Sequence, residues 1–142
     1  MAPQAAPGRI AGGMQRIAIT GIGSVSPVGL STDEAWEALL AGRSGIAEIT
    51  QFDASDMPIR VAGEVKGFDP VAVAGAKEAR RMDRNVLLAL AAAKQAADDA
   101  ALVVDDPTRH GVLYGTAIGG FHTMMEQHEI MRERGWERVA SS

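Results

Sequence analysis

The chain has no cysteine among its 142 residues. That removes disulfides, thiolate metal sites and a cysteine nucleophile together, and it suits a cytoplasmic protein. Long apolar runs are missing as well. Nothing approaches the roughly 18 to 20 consecutive apolar residues of a membrane-spanning helix, so no membrane association is expected. Positive charge is not in excess: 14 Lys and Arg face 18 Asp and Glu, a formal net charge of −4. A general nucleic-acid binder would show the opposite balance, so any basic patch must be local. The opening, Met1 to Gly13, is rich in Ala, Pro and Gly with Arg9 as its one charge. Without an apolar h-region it does not read as a secretory signal. Residues 1–15 are expected to form a flexible leader, with Met14 as a candidate start.

What is present is globular in character. Hydrophobic residues make up 46% and charged residues 23%, near the average for soluble domains, so a folded core is expected from residue 16 onward. Arg16 to Thr20 is short, β-branched and closed by Gly21, the pattern of a buried strand. After the turn Gly21–Gly29 a helix is expected from Thr32. Ser31 serves as its N-cap, and Glu34 completes a capping box by reaching back to the cap N–H. Ala35, Trp36, Leu39 and Leu40 form its apolar stripe, and Gly42 stops it. Gly45 to Met57 reads as loop, Ile59 to Val65 as a weak strand near a sheet edge, and Val71 to Met82 as a short helix or two. Asp83 to Leu102 is the clearest helix. Its first half is apolar nearly all round, as in helices buried between layers. Asp105-Asp106-Pro107 is a turn, Gly111 to Gly115 a second buried strand, and Phe121 to Arg134 an amphipathic helix ended by Gly135. Strands alternating with helices give an α/β layered architecture, with no internal repeat.

Several motifs invite functional readings that their spacing does not sustain. Gly21-Ile22-Gly23-Ser24-Val25-Ser26 follows a strand as a dinucleotide fingerprint does. Its third glycine position is Ser26, however, and the helix begins too late to meet a pyrophosphate. A tight turn is the better reading, and no cofactor is expected. His122 and His128, six apart, fall on largely opposite faces of one helix and do not share a metal. His110 precedes a strand. The adjacent carboxylates Asp98-Asp99 and Asp105-Asp106 do not face each other as an acid/base pair. Residue chemistry alone therefore indicates a soluble α/β domain with no evident nucleophile, metal site or cofactor loop.

A resemblance carries the reading further. Arg16-Ile-Ala-Ile-Thr-Gly-Ile-Gly-Ser-Val-Ser-Pro-Val-Gly29 resembles the opening of the elongating β-ketoacyl-acyl-carrier-protein synthases. Trp36 to Gly42 with Ser44-Gly45-Ile46, Phe52-Asp53, Ala62 to Asp69, Lys77 to Asp83, and Tyr114 to Gly120 are similar to later segments of that family, in the same order. The resemblance implies a thiolase-like fold: this chain would form part of the first α/β half of a five-layered αβαβα architecture, in a homodimer. It implies a mechanism in which a cysteine takes an acyl group from acyl carrier protein and malonyl-carrier protein loses carbon dioxide. The carbanion then attacks the thioester, assisted by two histidines, a lysine and an oxyanion hole. Those four side chains lie downstream of the matched region, and His110, His122 and His128 match none of them. The chain alone is thus expected to be inactive. Lys77, Arg80 and Arg81 match the family's docking patch for the acidic carrier protein, and Ile118 matches a residue lining its acyl pocket. Two other readings stay open: a non-catalytic partner of the chain-length-factor kind, and a small standalone binding module.

Overall fold

The computed structural model describes residues 16–139. The leader expected over residues 1–15, with its candidate start Met14, lies outside the described residues. Helix α1 spans Thr32–Leu40. Ser31 is extended (φ −135°, ψ 166°) and its hydroxyl accepts the Glu34 N–H at 3.2 Å, as a Ser N-cap should. Glu34 reaches one residue further back than a capping box requires, accepting the Leu30 N–H at 2.7 Å. The helix closes on Ala41. Beyond it Gly42 is left-handed (φ 65°), and the amides of Gly42 and Arg43 bond the carbonyls of Leu39 and Ala38 at 3.1 and 2.8 Å. This is the Schellman arrangement.

Strands β1 (Ile46–Glu48) and β2 (Val61–Gly63) pair antiparallel, with Ile46 opposite Gly63 and Glu48 opposite Val61. β2 falls where a weak strand was expected. β1 falls inside the expected loop, because three residues are too few to display a period. Helix α2 (Pro70–Glu78) is capped by Asp69, whose carboxylate accepts the amides of Val71 and Ala72 at 2.8 and 3.2 Å. Gly75 (φ 77°, ψ 157°) breaks it into two short helical pieces. Helix α3 (Arg84–Asp99) packs on α2, and helix α4 (Phe121–Arg134) ends at Gly135 as expected. Single 3₁₀ turns follow at Pro107–Arg109 and Trp136–Arg138.

These elements are organised around the loop Gly21–Leu30. Gly21 and Gly23 lie directly on the alanine face of α3. A methyl group on Gly23 would come 2.6 Å from the Ala96 amide nitrogen and closer still to the Ala92 carbonyl. One on Gly21 would lie 2.8 Å from the Ala100 methyl. Only glycine lets the chain approach a helix this closely. Polar groups of α3 then hold the loop: Asp99 accepts the Ile22 N–H at 2.9 Å, and the Gln95 amide accepts from the Ser24 N–H at 3.3 Å while donating to the Leu30 carbonyl at 2.7 Å. On the far side the Pro27 ring abuts the hairpin, within 3.0 Å of where a Cβ on Gly63 would stand. The buried core accordingly consists of small residues, Ala35, Ala38, Ala54 and Ala91, with Leu87.

The structure corrects three expectations. Residues 16–20 and 111–115 belong to no ladder, and Ile17, Val112 and Leu113 are 94%, 96% and 100% exposed. A strand acquires its hydrogen bonds from a neighbour, and among the described residues none lies beside either segment. On α1, Ala35 and Ala38 face inward while Trp36, Leu39 and Leu40 of the expected stripe face out. The loop closes on the alanine side, and the large side chains have nothing to cover them. In α3 Leu87 and Ala91 are buried, but Val86 and Leu90 are exposed.

Two substitutions test this packing by urea denaturation of the purified protein. Gly23→Ala forces a methyl group into the α3 backbone and is expected to destabilise by about 3 kcal/mol or more. Ala101 occupies the C′ position of α3 with φ 46°, its amide bonding the Asp98 carbonyl at 3.0 Å and that of Leu102 bonding Ala97 at 2.9 Å. Glycine holds the same position after α1, so Ala101→Gly is expected to stabilise by about 0.5–1 kcal/mol. No gain at Ala101 would mean that the left-handed conformation carries no strain there.

Candidate functional site

The basic residues singled out in the sequence cluster where α2 ends. Lys77 lies in its last turn, and Arg80 and Arg81 in the turn leading to α3, all three exposed. Arg80 donates from Nε to the Ala76 carbonyl at 2.9 Å, placing a cation at the negative end of α2. Arg81 approaches Glu78 at 3.9 Å across open surface, a pair of small energetic weight. Lys77 has no ion-pair partner among the described residues.

Asp83 follows this segment but does not pair with it. It caps α3 through Oδ1, which accepts the Asn85 N–H at 3.0 Å. Its Oδ2 accepts the Thr123 hydroxyl at 2.7 Å and the Thr123 amide at 3.3 Å, so one carboxylate sits at the start of both α3 and α4. Both helix N-termini favour the anion. Partial burial opposes ionisation, but the Thr123 hydroxyl, the amides of Asn85 and Thr123, and the nearby His122 outweigh it and hold the carboxyl below its ordinary value.

Ile118 stands in the loop between residues 115 and 120, 70% exposed. The loop is shaped locally by Gly119 (φ 76°), whose amide bonds the Thr116 hydroxyl at 3.1 Å. The basic cluster and Ile118 thus occupy different segments, connected through Asp83.

Beside them runs an open groove of about 660 Å³, lined by Phe52, Glu64, Lys66, Arg84 and His122 among others. Its charges are largely engaged by the protein itself. Glu64 accepts the Thr50 hydroxyl at 2.7 Å and the amides of Thr50 and Gln51 at 2.9 and 3.1 Å, ties that hold its carboxyl below the usual range. Arg84 donates to the Val65 carbonyl at 2.6 Å and lies 5.7 Å over the Phe68 ring. Among the described residues no three His, Asp or Glu side chains converge on a metal position. His110 is drawn to the Asp106 carbonyl, Nδ1 to O 2.8 Å.

Sequence reasoning missed Asp83–Thr123, Gln95 and Glu64 as tertiary contacts. An Asp before a helical run signals a cap, but nothing local announces its second partner 40 residues away. The lowered Asp83 and Glu64 values have a pH consequence. A carboxyl depressed on folding stabilises the native state fully above its unfolded value, and that contribution is lost as pH falls through the lower folded value. The protection of the Asn85, Thr123 and Thr50 amides, taken relative to their intrinsic exchange rate at each pH, is therefore expected to fall selectively on acidification below the ordinary carboxyl range. Asp83→Asn should abolish the acid dependence at Asn85 and Thr123 while leaving that at Thr50.

Comparison with known proteins agrees with this geometry. The chain matches the β-ketoacyl synthase, N-terminal domain family over residues 14–141. Over 128 residues it is 42% identical to a 3-oxoacyl-[acyl-carrier-protein] synthase 2 of Synechocystis sp. and 40% identical to the proteins of that name from Vibrio cholerae and Staphylococcus aureus. Each match covers 89% of this chain and 31% of the relative, so the chain spans about a third of the length of these relatives. Among solved structures it is similar to the ishigamide ketosynthase/chain length factor, with TM-score 0.70 and 32% identity, covering 87% of this chain and 31% of that one. With its glycine loop seated on the alanine face of α3, the chain takes a thiolase-like ketosynthase fold and belongs to the β-ketoacyl synthase family, of which it matches the N-terminal domain.

Proposed function

We propose that residues 16–142 are the N-terminal part of a β-ketoacyl-acyl-carrier-protein synthase. In the full reaction a cysteine thiolate takes an acyl group from its carrier protein as a thioester. Malonyl-carrier protein loses carbon dioxide, and the resulting carbanion displaces the thiolate to give the β-ketoacyl product. The groups for this chemistry would come from chain beyond the matched region, and this segment would serve as scaffold, docking surface and part of the acyl pocket. The observation that carries the reading is the pair of exposed apolar segments, 16–20 and 111–115, without a ladder partner among the described residues, in a chain that spans about a third of the length of its relatives. In a homodimeric, five-layered enzyme they would be central strands covered by the remaining layers.

The similarity to a ketosynthase/chain length factor favours one second reading, a non-catalytic partner that shapes a heterodimer. The intact mass of the native protein, with peptides mapped past Ser142, separates them. A mass well above 14.9 kDa with a cysteine at the nucleophile position supports the synthase. The same length without it supports the partner, and a mass matching this chain refutes both.

Lys77, Arg80 and Arg81 would steer an acidic carrier protein despite the net negative charge. In the full-length protein Lys77→Glu with Arg81→Glu is expected to weaken carrier binding on the order of tenfold at low salt and to flatten its salt dependence. Unchanged affinity in a titration at low salt would remove the docking role. Ile118→Phe is expected to shorten the acyl products, and an unaltered product profile would remove the pocket role.

A further inference from the structure

The Ile118 loop is anchored to the body of the protein at both ends, and both anchors fall on the same turn. Before the loop, the Tyr114 hydroxyl donates to the Asn85 carbonyl at 3.4 Å. After it, the Thr123 hydroxyl and amide donate to Asp83 Oδ2 at 2.7 and 3.3 Å, while Asp83 Oδ1 holds the Asn85 amide at 3.0 Å. Gly120 is pressed against the same carboxylate, so that a methyl group there would lie 3.2 Å from Oδ2. Within the loop the remaining bonds are local, Gly119 to Thr116 and Phe121 to Gly119, and do not fix its place in the fold.

We propose that Asp83 is a positioning residue that, through Thr123, sets where Ile118 stands and thereby contributes to acyl chain-length selection. The proposal rests on the reading of Ile118 as an acyl-pocket residue. A carboxylate suits the task because it accepts from both segments at once, and the charge-assisted Thr123 hydroxyl bond is the short member of the set. Asp83 also stands two residues after Arg81, so the basic turn and the Ile118 loop meet at one junction.

The test uses the full-length native protein with its acyl carrier protein, and reads the ratio of longer to shorter acyl products by mass spectrometry. Thr123→Val keeps the volume of an exposed side chain and removes only the hydroxyl donor. It is expected to change the product ratio on the order of tenfold, and Thr123→Ser is expected to restore it. Gly120→Ala displaces the same loop by a different route and should move the same ratio. A lowered Tm with an unmoved ratio in Thr123→Val and Gly120→Ala overturns the proposal, since a merely structural contact would give that pattern. Ile118→Phe separates the two levels of inference. If it alters the products while the Thr123 and Gly120 variants do not, the pocket role stands and the positioning role falls. If it does not alter them, both fall.

Discussion

The approach of one loop to one helix places helix α1 and the hairpin against α3. Gly21 and Gly23 reach the backbone at Ala92, Ala96 and Ala100 because the glycines carry no side chain and those helix positions carry only a methyl group. Once that distance is set, Gln95 and Asp99 lock the loop, the loop delivers Ser31 as the cap of α1, and Pro27 is pushed against the hairpin. Small residues at the centre exclude water without needing volume, which is why four alanines and one leucine suffice as the described core. The same arrangement turns the large side chains of α1 outward, so close packing inside and uncovered apolar surface outside have one origin.

That economy explains which parts of the fold were legible in the sequence. Helices α1, α3 and α4 declared themselves through signals lying within a few residues: Ser31 and Glu34, Asp83 before an unbroken helical run, Gly42 and Gly135 at the exits. The segments 16–20 and 111–115 were read as buried strands, and among the described residues they are neither paired nor buried. Pairing is a property of the neighbour, and their own residues cannot encode whether it is present. The Gly21-Ile22-Gly23 pattern was read as a tight turn, but the helix face it packs on, some 70 residues away, could not be seen from spacing. Strand β1 was too short for any period to emerge.

The site divides the same way. Lys77, Arg80, Arg81 and Ile118 came from likeness to a family, and their positions in the structure are ordinary by local criteria: exposed, weakly paired, without strain. Asp83 is the reverse. It stood in the sequence only as the start of a helix, yet it holds two helix starts on one carboxylate. Contacts between distant segments depend on the backbone being already in place, and single-sequence reasoning has no access to them.

Gln95 has a further consequence. Its side chain accepts from Ser24 and donates to Leu30, so it reads the loop's two limbs with opposite polarity from a single planar group. A glutamate of the same size would face the Leu30 carbonyl with a second acceptor, and asparagine would fall a methylene short, which makes the position nearly exclusive to one amino acid. Because that group bears no charge, neither ionic strength nor proton concentration has a handle on it. Acid can unfasten the carboxylate clasps at Asp83 and Glu64, while the two Gln95 bonds across the seam between loop and helix offer it no proton to place.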